Sequence, residues 1–348
     1  MDSKGSKKGM LDELIGLSSN IERTVVFSDG NDIRLIKALD YLKGYNKSSY
    51  ILVGEKEGIE SKIKEVGLKN INIKEIVDPS NLSNRDEYKG LIKDSFKKRG
   101  KEITEQQIEE MLLNRSYIAA LKLKNNDADC GVGGSISSTG DLMKAVIYIV
   151  GVAEGKKFLS SSIYLQVPGC EFGLEGKFFV SDPAIIPNPT EEQLVDMTLS
   201  TYENAKPFFK DKAIVALLSY STKGSAKSEE IDKIRRVVET VKKIRPEMII
   251  DGEMQFDAAI VPEVCAAKAP NSPVKGMANV LIFPDLNSCN IGYKIMQRLG
   301  KASVCGPIVQ GGAKPFNDLS RGCTVEEIIN LTCMTLVQRK SMEEDNIL

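Results

Sequence analysis

Three polar stretches carry side chains suited to chemistry. The first is Ser219-Tyr220-Ser221-Thr222-Lys223-Gly224-Ser225-Ala226-Lys227-Ser228, between an apolar β-branched run and an amphipathic one. Hydroxyls, two lysines and a glycine at a strand's carboxyl end suit an anion or a phosphorylated cofactor. Ligands of α/β sheets collect at that edge, and a following helix N-terminus favours negative charge. Ser219, Ser221, Thr222, Lys223, Ser225 and Lys227 are the candidate ligands. The G-x-x-x-x-G-K-[ST] spacing is missing, so this is no P-loop. The same residues also describe an ordinary polar loop with Ser228 as a helix N-cap.

The second stretch, Asp251-Gly252-Glu253-Met254-Gln255-Phe256-Asp257, reads as three carboxylates just past a strand end. Such a group could hold Mg²⁺ or orient polar ligand groups. Taken alone, a polar turn whose carboxylates cap the helix running from Ala258 explains it better. The third runs from Asn317 to Glu327: Asn317-Asp318-Leu319-Ser320-Arg321-Gly322-Cys323-Thr324-Val325-Glu326-Glu327. An arginine fork beside a hydroxyl, before a helix N-terminus, makes a compact phosphate site. Thr324 and Glu327 have a second explanation, since T-x-x-E is a capping box. That explanation leaves Ser320-Arg321 unused.

Composition narrows the chemistry. The chain has no histidine, which excludes a Ser-His-Asp triad, a Cys-His dyad, a histidine base and every histidine-ligated metal. Acid–base work falls to Asp, Glu, Lys, Tyr or Cys. The 47 basic and 48 acidic residues nearly cancel, so no overall field draws in nucleic acid or an anionic membrane. Seven cysteines without a C-x-x-C pair read as reduced thiols of a cytosol. The polar start Met1–Lys8 argues against a secretory signal. The apolar run Ala145–Ala153 is far too short to span a membrane. Cytoplasmic location is the expectation.

Positioning these stretches requires α/β units. With 348 residues, two domains are expected. Strands are predicted at Thr24–Phe27, Ser49–Val53 and Ile71–Ile76, with a helix over Ile33–Leu42 after the loop Ser28–Asp32. Residues 86–124 suggest two helices broken near Gly100. Ala128–Ser138 reads as a Gly- and Ser-rich loop opening a helical segment, Gly140–Val150. A second set of strands follows at Ser160–Val167, Lys177–Ser181, Ala213–Ser219, Met248–Asp251 and Asn279–Phe283. Helices at Thr190–Ala205, Ser228–Ile244 and Asn290–Leu299 alternate with them. This rhythm indicates mainly parallel sheets. The expected division is 1–158 with 312–348, and 159–311, the helix Thr324–Arg339 returning to domain one.

The three stretches, in this order, resemble the phosphate acetyltransferase and butyryltransferase family. The likeness is densest through SYSTKGSAKS, DGEMQFDAAIVPEV, KAPNSPVKG, NVLIFPDLNSCNIGYKIMQRL and GPIVQGGAKPFNDLSRGCTVEEI, and is closer to the acetyl branch. In the looser N-terminal half, Asp127-Ala128-Asp129 and Ser138-Thr139-Gly140-Asp141 stand at the family's D-A-D and S-T-A-D segments.

The resemblance implies acyl-CoA + phosphate ⇌ acyl phosphate + CoA by direct transfer in a ternary complex, in a cleft between two α/β domains. By position it makes Glu327 the base for the CoA thiol, where the family typically has Asp. Arg321 would hold the phosphoryl group, and Ser320 the developing oxyanion. Asn317 and Asp318 join the substrate-binding set. Cys170 matches a family cysteine near the site that is not a nucleophile. Lys144 stands where the family usually has an arginine, and Arg99 is the stand-in for a second arginine. Lysine keeps the charge but loses the bidentate fork. Ser137 replaces a histidine of many relatives. The resemblance further implies a homodimer, coenzyme A as substrate, no covalently bound cofactor and no catalytic metal. A propionyl- or butyryl-preferring enzyme and a non-catalytic CoA- or acyl phosphate-binding homologue are the alternatives. A dehydrogenase has little support without G-x-G-x-x-G.

Overall fold

A computed structural model describes residues 9–344. They divide into two compact units: the first runs to Glu154 and resumes at Gly312, and the second is Gly155–Gly311. The first crossing falls a few residues before the expected 158.

In the first unit, strands β1 (Thr24–Phe27), β2 (Ser49–Val53), β3 (Ile73–Val77), β4 (Cys130–Gly133) and β11 (Phe316–Asp318) form one sheet. Its order is β11-β4-β1-β2-β3 and every pair is parallel. The central strands β1 and β2 are short runs rich in Val, Ile, Leu and Phe whose inner residues are buried, as a sheet covered on both faces requires. Helix Val325–Glu344 is buried over most of its length and packs on helices Met10–Ser18 and Ile33–Leu42 and on β4.

Two expectations fail here. The loop predicted at Ala128–Ser138 contains β4, the strand between β1 and β11. Its glycines misled the composition argument, yet packing demands them. A Cβ at Gly131 would lie 3.0 Å from the Phe316 ring and 3.1 Å from Val26, distances that real Cβ atoms avoid. The two helices expected over 86–124 are three: Arg85–Lys97, Glu105–Leu113 and Arg115–Lys124. Asn114 ends one and starts the next. It is extended at φ −87°, ψ 121°, and its side chain accepts from Ser116 N, as an N-cap does.

The second unit holds β5 (Ser160–Gln166), β6 (Lys177–Ser181), β7 (Ile214–Leu218), β8 (Ile249–Met254), β9 (Val280–Ile282) and β10 (Ser303–Gln310), in the order β10-β5-β6-β9-β7-β8. Only β5 runs against its neighbours. Helices Glu191–Phe209 and Glu229–Ile244 pack on each other. Strand β8 extends past the predicted Asp251 to Met254, so Asp251 and Glu253 lie within a buried strand rather than beyond it.

Candidate active site

In the first unit the chain moves from β1 outward to β2 and β3, then returns to the other side of β1 as β4. Such a reversal opens a crevice at the carboxyl edge, the usual ligand site of an open parallel sheet. Three segments meet there: Ser28–Asp32 after β1, Gly134–Ser138 after β4, and Leu319–Cys323 after β11.

Asp29 ties the first two together. Its carboxylate accepts from Gly134 N at 2.8 Å, from Ser137 N at 3.2 Å and from the Ser137 hydroxyl. Gly134 has φ +90°, and an added Cβ would overlap Asp318 Oδ1 and lie 2.6 Å from Leu319 O. Glycine is required on both counts. Asp318 is 5% exposed, and its Oδ1 has no hydrogen-bond partner among the described residues. Burial pushes its carboxyl up to about 6, with Thr139 opposing through a hydrogen bond and the Asp29 charge adding to the rise. A buried acid with that pKa changes protonation close to neutral pH.

Beyond Asp318 the chain emerges: Ser320, Arg321 and Gly322 are exposed. Ser320 Oγ accepts from Gly322 N at 3.3 Å, and no hydrogen bond or ion pair of the Arg321 guanidinium is found among the described residues. Glu327 completes the capping box: Thr324 N donates to Glu327 Oε2 at 2.7 Å, and Glu327 N donates to Thr324 Oγ1 at 3.2 Å. Capping is therefore a real role of Glu327. It leaves the carboxylate exposed.

Two residues expected to bind substrate are engaged elsewhere. Asn317 is fully buried, and its amide donates to Thr335 Oγ1 at 2.9 Å and Gln338 Oε1 at 3.0 Å. It fastens β11 to the C-terminal helix. Arg99 donates to the carbonyls of Ser95, Ile147 and Tyr148. Two of these belong to the π-helical turn Val146–Val150, so Arg99 closes a helix end. Burial lowers its pKa. Lys144, by contrast, is exposed in helix Thr139–Ala145.

In the second unit the loop Ser219–Ser228 follows β7, and Ser228 does cap helix Glu229–Ile244. Its interior is structural. Ser221 is fully buried and donates to Glu253 Oε1 at 3.0 Å. Buried Thr222 bonds Gln255, and Ser225 Oγ accepts from Thr222 N. Lys223 Nζ lies 2.6 Å from buried Asp251 Oδ1. These contacts hold Ser221 and Thr222 within the fold, and they engage Lys223. Ser219, Ser225 and Lys227 keep surface exposure. The carboxylates read as a Mg²⁺ site are each matched by a cation, Asp251 by Lys223, Glu253 by Arg235 and Asp257 by Lys268. Among the described residues no cluster of three or more acidic or thiol ligands could hold a metal.

Cys170 lies in the turn between β5 and β6. That turn is at the opposite edge of the sheet from Ser219–Ser228, because β6 runs parallel to β7 through β9. Within this unit the two do not share a site.

Sequence reasoning missed Asp29, Gly134 and Arg34. The signal for Asp29 was the strand-end loop Ser28–Asp32, and for Gly134 the glycine-rich stretch Ala128–Ser138; Arg34 follows the first of these and donates to the carbonyls of Ser135, Arg321 and Cys323. Recognising these as one site required knowing that β4 returns beside β1, and glycines hid β4.

Residues 10–336 match the profile of the family described as "Phosphate acetyl/butaryl transferase". The chain is similar to the phosphate acetyltransferase of Clostridium acetobutylicum, 41% identical over 91% of this chain and 94% of that one. It is also similar to that of Thermoanaerobacterium thermosaccharolyticum, at 39% identity over 94% and 99%. A crystal structure of a phosphotransacetylase from Streptococcus pyogenes superposes with a TM-score of 0.86 at 34% identity, covering 98% of this chain and 99% of its own. With a site loop of the form S-R-G-C-T at the end of β11, and a match over nearly its full length, this chain belongs to the phosphate acetyl/butaryl transferase family.

Proposed function

We propose that this protein interconverts acetyl-CoA and phosphate with acetyl phosphate and CoA, by direct transfer between the two substrates. The observation that carries the proposal is Ser320-Arg321. The pair stands exposed at the carboxyl edge of the first unit, just past strand β11, with a guanidinium available for a phosphate. Near-full-length likeness to proteins named phosphate acetyltransferase supports the acetyl group over longer chains.

Read toward acetyl-CoA, Glu327 accepts the CoA thiol proton and the sulfur attacks the acetyl carbonyl. The bond between the acyl carbon and the bridging oxygen then breaks, and the phosphate leaves, taking from Glu327 the proton that came from the thiol. Arg321 holds the phosphoryl oxygens as a planar fork, and Ser320 donates to the developing oxyanion. Lys144, Ser225 and Lys227 are exposed and Ser219 is part-exposed, all available to CoA. Reduced thiols without disulfides fit a cytoplasmic enzyme. Among the described residues no helix is long and apolar enough to cross a membrane.

Thioester formation from CoA with acetyl, propionyl and butyryl phosphates tests the reading. Acetyl phosphate should turn over fastest, with sequential kinetics, and Cys170→Ala should keep substantial turnover. A stable acyl-thioester on Cys170 would defeat direct transfer. CoA binding without turnover would leave a non-catalytic homologue.

We also propose a homodimer through the second unit. Helix Leu286–Arg298 buries only Cys289. Ile291, Ile295 and Leu299 stand on one face at four-residue spacing, 59%, 52% and 81% exposed. A second copy covering this stripe would explain so apolar a surface. Sedimentation should give a dimer for the wild type and a monomer for Ile295→Glu. A monomeric wild type overturns the proposal.

A further inference from the structure

Arg34 sits in the first turn of helix Ile33–Leu42, and its guanidinium reaches across the crevice of the first unit. Nη1 donates to the carbonyls of Arg321 at 3.0 Å and Cys323 at 2.7 Å. Nη2 donates to the carbonyl of Ser135 at 2.8 Å. The fork is aimed by the N-cap residue Asp32, whose Oδ1 lies 3.0 Å from Nε and whose Oδ2 lies 2.7 Å from Nη2. Asp32 is 5% exposed. Burial works to raise its pKa, and the bonds from Arg34 outweigh it, so the carboxylate stays ionised below the usual range. One side chain therefore fixes the loops after β4 and β11 relative to each other. The tips of both loops, Ile136 and Ser138 in one and Ser320 to Gly322 in the other, are exposed.

We infer that Arg34 is a positioning residue for the phosphate half of the site, setting where Arg321 presents its guanidinium. This rests on the reading that Arg321 holds the phosphoryl group. The bonds end on backbone carbonyls of residues 321 and 323, so they act on the direction of the Arg321 side chain and not on the substrate. A lysine has one ammonium in place of a planar fork and cannot bridge the same three carbonyls while pairing with Asp32.

The test uses the whole chain with Arg34→Gln, Arg34→Lys, Asp32→Asn and Arg321→Gln. Arg23→Gln, which breaks an ion pair to Glu343 at the far end of the C-terminal helix, is the control. Saturation by acetyl phosphate and by CoA is measured separately, beside the melting temperature. Arg34→Gln should raise the KM for acetyl phosphate by roughly tenfold or more, with lower kcat and a nearly unchanged KM for CoA. Arg34→Lys should recover only part of this, and Asp32→Asn should show a weaker form of the same split. Arg23→Gln should show none of it. Equal changes for both substrates, or a lower active fraction with unchanged KM values, would overturn the inference even if Arg34→Gln folds poorly, because Asp32→Asn reports the same split. If Arg321→Gln leaves acetyl phosphate saturation untouched, the site reading itself fails. If Arg321→Gln weakens it and Arg34→Gln does not, only the positioning role fails.

Discussion

Glu327→Gln should lower turnover by roughly 10²–10⁴, the usual worth of a general base, while the melting temperature stays within about a degree of the wild type. The substitution separates two roles that one side chain holds here. The capping bond runs from Thr324 N to Glu327 Oε2, and a glutamine amide oxygen accepts it equally well at this third helical position. Shape and cap are therefore kept, and only the capacity to take up a proton is lost. A residue that merely caps would leave turnover near normal. That outcome would move the base to Asp318 or Glu326. Asp318 is the stronger of the two, because its carboxyl is pushed up to about 6 and its Oδ1 has no partner among the described residues. Its burial would then require the loop to open toward the thiol.

Arg235→Ala should destabilise the second unit by about 2–3 kcal/mol, less than the full cost of an unpaired buried charge because Arg235 is itself part-exposed. That corresponds to roughly 5–10 °C in melting temperature for a unit of this size. Glu253 is fully buried in β8 and accepts four bonds: Arg235 Nε at 2.9 Å, Arg235 Nη2 at 3.1 Å, Gly224 N at 2.8 Å and Ser221 Oγ at 3.0 Å. Burial alone would push its pKa up. The Arg235 bonds, with Gly224 and Ser221, hold it down at about 2. A folded pKa below the unfolded one gives stability that is full above about pH 4.5 and lost as pH falls toward 2. The gap between wild type and Arg235→Ala should therefore narrow below pH 4.5. Arg236, an exposed neighbour paired with Glu191 and Glu229, is the comparison. Its alanine variant should melt close to the wild type, because exposed ion pairs contribute little. Equal losses at the two positions would refute the argument.

Much of this architecture was readable because local signals agreed. Helix Ile33–Leu42 and strands Thr24–Phe27 and Ser49–Val53 fall where periodicity placed them. The capping box at Thr324 was legible for the same reason, since it is a contact three residues apart. Contacts that depend on distant pairing were not. Asn317 reads like a ligand until β11 is seen to pack against Thr335 and Gln338, and Ser221 until β8 brings Glu253 beneath it. Lys223 and Arg99 carry charge that suits an anion. Their partners, Asp251 and the carbonyls of Ile147 and Tyr148, come from segments that only the fold brings near. Composition marks a side chain as polar without saying which face it presents.

The order of β11-β4-β1 bears on how the chain emerges during synthesis. Strand β4 is made early, but its partner β11 follows only after all of 155–311 has been translated, a delay on the order of ten seconds at ordinary elongation rates. During that interval the outer edge of β4 has no neighbour, and unpaired strand edges recruit other chains. The edge in question reads Cys130-Gly131-Val132-Gly133. Alternate glycines offer few side chains for a stray strand to pack on and have low strand propensity. The residues that let β1 and Phe316 approach closely in the finished sheet thus also make the nascent edge a poor template for misassembly.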